Sequence, residues 1–149
     1  MTIEKQISQG IMEAMKAKQP VRLAALRNVK KYIIEAKTAG TNIDELPDAD
    51  ALRIIGKLAK QGAESAAIYR TQGRADLADE EEAQVEVLRE FLPRALTDDE
   101  LADALRAVIA EVGATGPQDM GRVMGAASKR LAGQAEGGRI SAKVRELLS

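Results

Sequence analysis

The chain has 149 residues, 45% of them apolar and 30% charged, with a formal net charge of −1, the balance of a folded chain with room for one domain or two small ones. It contains no cysteine and no histidine, which excludes disulfides, thiolate nucleophiles, histidine metal ligands and the imidazole base of a catalytic triad. Aromatic residues make up only 2% of the chain, with a single Phe and no Trp, so the core is expected to be aliphatic.

The start, Met1-Thr2-Ile3-Glu4-Lys5-Gln6, lacks the apolar segment of a signal peptide, and no later run reaches membrane-spanning length. A cytoplasmic protein without membrane contact is expected. Thr2 caps a first helix whose apolar stripe is Ile3, Ile7, Ile11, Ala14 and Met15. Pro20 is suited to a first turn and opens a second helix, with Leu23, Leu26, Val29 or Lys30, and Ile33 on its inner face and an end near Gly40. Residues 41–47 read as a loop. A long third helix follows, with Leu52, Ile55, Ala59, Gly62, Ala66 and Tyr69 spaced alternately by three and four, and Gly73 stops it. A fourth carries Leu77, Val85, Leu88 and Phe91 towards Pro93.

A boundary is expected near Arg94. Beyond Pro93, Thr97 and Glu100 have the spacing of a capping box, and Leu96 and Leu101 that of a hydrophobic staple. Leu101, Leu105, Val108, Ile109 and Val112 line the fifth helix, which Gly113 ends. Thr115 and Gln118 then have the spacing of a reciprocal cap for a sixth, striped by Met120, Val123, Met124, Ala127 and Leu131. Gly121 and Gly125 lie one turn apart on it and suggest a neighbouring backbone at close range. A seventh helix runs from Arg139 to Leu148. The fold class is therefore all-α, with a four-helix part over 1–94 and a three-helix bundle over 95–149.

Two runs of carboxylates, Asp79 to Glu82 and Asp98 to Glu100, read as a solvated helix face and as acids complementing a helix N-terminus. No catalytic residue, metal ligand or cofactor is assigned. Charge is distributed unevenly: residues 1–37 hold eight basic and three acidic residues, 38–100 seven and fifteen, and 101–149 seven and five. Lys16, Lys18, Arg22, Arg27, Lys30 and Lys31 surround the joint of the first two helices. Near the other end, Arg122 and Lys129 share one helix face, and Arg139 and Lys143 share another. Such cations can follow a phosphate backbone, and Arg122, Lys129, Arg139, Lys143, Arg22, Arg27 and Lys30 are the candidate RNA contacts. Scarce aromatics argue for recognition of backbone and shape over base stacking.

The run Asp119-Met120-Gly121-Arg122-Val123-Met124, the preceding Gly113-Ala114-Thr115, the turn from Gly133 to Gly138 and the closing Val144-Arg145-Glu146-Leu147-Leu148 resemble the YqeY family. Upstream, Arg22 to Lys30, Gln72 to Leu77 and Phe91-Leu92-Pro93 extend the resemblance over nearly the whole chain. That family is similar to the tail domain of GatB, a subunit of the amidotransferase that converts glutamate misloaded on glutamine tRNA into glutamine. The chain departs from the family pattern at Gly133-Gln134-Ala135-Glu136 and at Gly62, and each departure removes a cation.

The resemblance implies an accessory helical protein that recognises tRNA shape, or an aminoacyl-tRNA synthetase or amidotransferase. Two other classes are compatible with it. One is carbon–nitrogen ligase activity with glutamine as amido-N-donor, under which the family is grouped; the chain lacks a nucleotide-binding glycine loop, a Ser-Ser-Lys constellation and a cysteine to attack glutamine. The other is a protein-interaction module without RNA.

Overall fold

The computed structural model describes residues 1–40 and 42–149; Thr41, the first residue of the expected loop, lies outside the described residues. Among the described residues there are seven α-helices, one 3-10 turn and no strand. The chain is all-α. It divides into two compact units, Met1–Leu92 and Pro93–Ser149.

Unit 1 holds α1 (Ile3–Lys16), α2 (Pro20–Thr38), α3 (Asp48–Thr71) and α4 (Ala75–Arg89). Thr2 caps α1 by accepting a bond from the Lys5 amide at 3.3 Å, and Pro20 is the first residue of α2. Between them Lys18 adopts φ 55°, a left-handed backbone that a non-glycine residue occupies at a cost of about 1 kcal/mol or more. The core is built from Ile7, Leu26, Val29, Ile33 and Ile55, all fully buried, and from Val85 and Leu88 of α4. Each such side chain contributes roughly 1.5–3 kcal/mol by leaving water.

Several inward positions differ from the expected stripes. Met15 is 52% exposed because Ala14 takes the buried position beside it. Ala51, not Leu52, is fully buried at the start of α3, and Ala78, not Leu77, on α4. In each case an alanine takes the buried position and its larger neighbour lies farther out. Gly62 is part of this pattern: a Cβ built there would lie 2.6 Å from Val85 Cγ2, so its missing side chain is what lets α3 and α4, the most extensively packed helices of the unit, come together.

Among the described residues, one charged side chain is buried. Glu4 is 5% exposed, and its carboxylate accepts from Lys37 Nζ at 2.5 Å and from the Leu46 amide at 2.9 Å. It thereby joins α1 to the end of α2 and to the loop leading into α3. Leu46 itself is buried, and the Ile3 amide donates to Asp48 Oδ1 at 2.9 Å in the same corner. Burial raises the carboxyl pKa, but the Lys37 and Leu46 hydrogen bonds and the nearby Lys30 charge outweigh it, and Glu4 titrates below its ordinary value.

Unit 2 holds α5 (Asp98–Val112), a single 3-10 turn (Pro117–Asp119), α6 (Met120–Arg130) and α7 (Gly137–Leu148). The capping box is formed: Thr97 Oγ1 accepts from the Glu100 amide at 3.2 Å, and Glu100 Oε1 accepts from the Thr97 amide at 3.0 Å. Gly113, at φ 68°, ends α5 in the left-handed conformation that favours glycine. Leu101, Leu105, Val108, Val123, Ala127, Ile140 and Val144 form a core to which no aromatic residue contributes, since residues 93–149 contain none.

Three local expectations are corrected here. Thr115 and Gln118 do not form a reciprocal cap: Asp119 Oδ2 accepts from the Thr115 amide at 2.9 Å instead, because the 3-10 turn brings the aspartate back over the preceding loop. Gly121 and Gly125 admit no close backbone neighbour; a Cβ at either would meet nothing within 4 Å. Helix α7 starts at Gly137, two residues before the expected Arg139, and its N-cap Glu136 makes no side-chain cap bond.

Candidate nucleic-acid interface

Helix periodicity places the unit 2 cations in two pairs. Arg122 and Lys129 are seven residues apart on α6 and so nearly eclipse one another, and Arg139 and Lys143 are four apart on α7. Their environments differ sharply. Arg122 donates from Nη1 to the Val112 carbonyl at 3.0 Å and from Nη2 to Asp119 Oδ1 at 2.9 Å. It therefore satisfies one of the carbonyls left open at the C-terminus of α5, where a cation also complements the helix dipole. The Thr115 amide and then Arg122 hold the Asp119 carboxyl below its ordinary pKa.

Arg139 reaches back from α7 to the start of α5, donating to the Leu96 carbonyl at 3.1 Å and to Asp98 Oδ1 at 2.9 Å. The Leu96 amide bonds the Gln134 carbonyl at 2.9 Å, so the same residue is held from both sides. Lys143 lies 3.2 Å from Glu146 Oε2, one turn on, and is only 22% exposed. Lys129 is exposed and makes no hydrogen bond or ion pair among the described residues. Arg145, not among the expected contacts, is also exposed and without such a partner; its only sequence signal is its place outside the Ile140, Val144 and Leu148 stripe. Arg130 pairs with Glu111.

In unit 1, Arg22 reaches from α2 to Glu90, the residue just past α4, to pair with it at 2.8 Å, and Lys30 donates to Ser8 Oγ at 2.8 Å from a part-buried position. Arg27 is exposed and, among the described residues, unpaired, four residues before Lys31 on the outer face of α2; the Lys31 ammonium stands 5.4 Å from the centre of the Tyr32 ring. Lys16 and Lys18, at the α1–α2 turn, are exposed with no partner among the described residues.

The candidates thus divide by what they already hold. An ion pair within one helix turn whose carboxylate faces solvent, such as Lys143–Glu146, is worth roughly 0–1 kcal/mol and yields readily to a phosphate. Arg122 and Arg139 each bond a backbone carbonyl as well as a carboxylate, and giving those up exposes unsatisfied groups. Arg27 and Lys129 have nothing to give up. Among the described residues, no group of three or more Asp or Glu side chains is placed to hold a metal ion, and no helix is long and apolar enough to cross a membrane.

Against known proteins, the chain is 31% identical over 88 residues to an uncharacterized protein of Schizosaccharomyces pombe, an alignment that covers 58% of this chain and 69% of that protein. The model of the family described as Yqey-like protein matches residues 4–148. With the match spanning both units and all seven helices, the chain belongs to the YqeY family.

Proposed function

We propose that this YqeY-family protein is a cytoplasmic accessory factor that recognises folded tRNA by its phosphate backbone, with no catalytic step of its own. The observation that carries the reading is the set of exposed cations without partners among the described residues, on both units: Lys16, Lys18 and Arg27 on α1, the following turn and α2, and Lys129 and Arg145 on α6 and α7. Exposed lysine and arginine side chains free of carboxylates suit phosphate contacts, which position a protein on a nucleic acid without reading its bases. Arg22, Lys30, Arg122, Arg139 and Lys143 add to the local field while holding their own helices together.

Titration of the full-length protein with labelled tRNA at two salt concentrations tests this. Affinity is expected to fall steeply with salt, and Arg27→Gln and Lys129→Gln each to lower the logarithmic salt slope by about one, as the removal of a single cation–phosphate pair requires. Binding that is independent of salt, or equally tight for an unstructured RNA, overturns backbone recognition of a folded shape. Absence of RNA binding with retained capture of a tRNA-charging enzyme would favour the protein-interaction reading instead.

A further inference from the structure

A groove of about 200 Å³ opens on unit 1 where one turn of α2 meets two turns each of α3 and α4. Its floor is apolar, made by Ala25, Leu58, Val85 and Leu88 around the bare backbone of Gly62. Five polar side chains line it: Asn28, Gln61, Ser65, Glu81 and Gln84. None of the five makes a side-chain hydrogen bond or ion pair among the described residues. This leaves five acceptor-capable groups lining one space with nothing of the chain's own in it.

The lining contains one carboxylate and no lysine or arginine, so the field inside favours a cation. Its volume is below the 300–1,000 Å³ typical of cofactor or drug-sized ligands and suits one long side chain. Among biological cations, an ammonium offers three compact donors, whereas a guanidinium offers five N–H groups in a rigid plane that pairs bidentately with a carboxylate. The Glu81 carboxylate with the side-chain oxygens of Asn28, Gln61, Ser65 and Gln84 matches that donor set, and the aliphatic floor matches a short methylene stem. We infer that this groove is a binding site for an alkylguanidinium, carried either by an arginine of a partner polypeptide or by a free small guanidine.

Chemical-shift titration of the full-length protein tests the site with three probes: N-acetyl-arginine methylamide, its citrulline counterpart, which keeps the shape and loses the charge, and ethylguanidinium. The arginine compound is expected to cause saturable shifts at Gln61, Ser65 and Gln84, and the citrulline compound to bind at least tenfold more weakly. Glu81→Gln, which breaks no hydrogen bond or ion pair among the described residues, should weaken arginine binding at least tenfold. Glu80→Gln, one residue away and outside the groove, should leave it unchanged, and Gln84→Leu should weaken it without altering the helical signal. Tighter binding of the blocked arginine than of ethylguanidinium identifies a polypeptide as the source, and equal binding identifies a free guanidine. Equal binding of the citrulline compound, an unaffected Glu81→Gln variant, or the absence of saturable shifts overturns the site.

Discussion

The two units use charge in opposite ways. In unit 1 a carboxylate is taken out of water: Glu4, 5% exposed, holds Lys37 and the Leu46 amide and ties two helices and a loop into one corner. In unit 2 the core is wholly apolar, and the ionic contacts that join one segment to another sit at helix ends around it, with Glu100 in the capping box, Arg122 on the last turn of α5 and Arg139 on the segment before α5. A buried pair is expensive to break from one side, because the remaining partner stays desolvated, whereas an end cap can be replaced by water. Unit 1 should therefore respond steeply to single polar changes and unit 2 gently.

The largest expected effect is at Glu4. Glu4→Ala should destabilise unit 1 by about 2–3 kcal/mol, at the lower end for a broken buried pair because Lys37 retains 22% exposure. Hydrogen exchange would locate the loss in α1, α2 and the start of α3; equal loss in α5–α7 would abolish the contrast between the units. The same group sets an acid response. Because the folded pKa of Glu4 is lowered, its contribution is fully present above the ordinary carboxylate range and is lost as pH falls through the folded value. Stability of unit 1 measured against pH should fall in acid, and the Glu4→Ala variant should flatten that fall. In unit 2, Glu100 is lowered to about 2, first by Arg94 and then by the Thr97 amide and hydroxyl, so its cap should weaken only as pH drops from the ordinary value towards 2.

Glycines sharpen the comparison in the next range of magnitude. Gly62→Ala forces a methyl group against the stiff, buried Val85 and should cost about 1–2 kcal/mol, overpacking outweighing the gain in helix propensity; chemical denaturation of the variant reads it directly. Thr97→Ala should remove the α5 cap at a cost of about 1 kcal/mol and loosen unit 2 more than unit 1 in hydrogen exchange. Uniform loss of protection would mean that the two units unfold as one. Smallest of all, Gly125→Ala meets open space in mid-helix and should stabilise α6 by about 0.5–1 kcal/mol, read as a raised melting temperature. A destabilised Gly125→Ala would show that something packs on that face after all.

What can be read from the sequence is local. The Thr97/Glu100 box, the Thr2 cap, Pro20 at the start of α2 and Gly113 at the end of α5 depend on residues within four positions of one another, and all are present in the structure. Sequence and structure part where one pattern has two physical causes. Glycine on a helix is compatible with a close crossing or with an open face, and only the packing shows that Gly62 serves the first and Gly125 the second. Glu4 in a first helical turn looks like an ordinary complement to the dipole until residues 37 and 46 arrive beside it. The candidate RNA contacts are the most affected. Arg22 meets Glu90 across 68 positions and Arg139 meets Leu96 across 43, and no spacing rule anticipates which surface cation will find such a partner and which, like Lys129, will not.

The absence of aromatic residues from residues 93–149 has an optical consequence. Tyr32, Tyr69 and Phe91 all belong to unit 1, so near-ultraviolet dichroism and tyrosine emission are blind to α5, α6 and α7, while far-ultraviolet dichroism sees every helix of both units. Melting followed at the two wavelengths on one untouched sample separates the units without any label. Coincident curves would report a single cooperative transition, and a helical signal that persists in part after the tyrosine signal is lost, or falls in part before it changes, would report unit 2 unfolding on its own schedule.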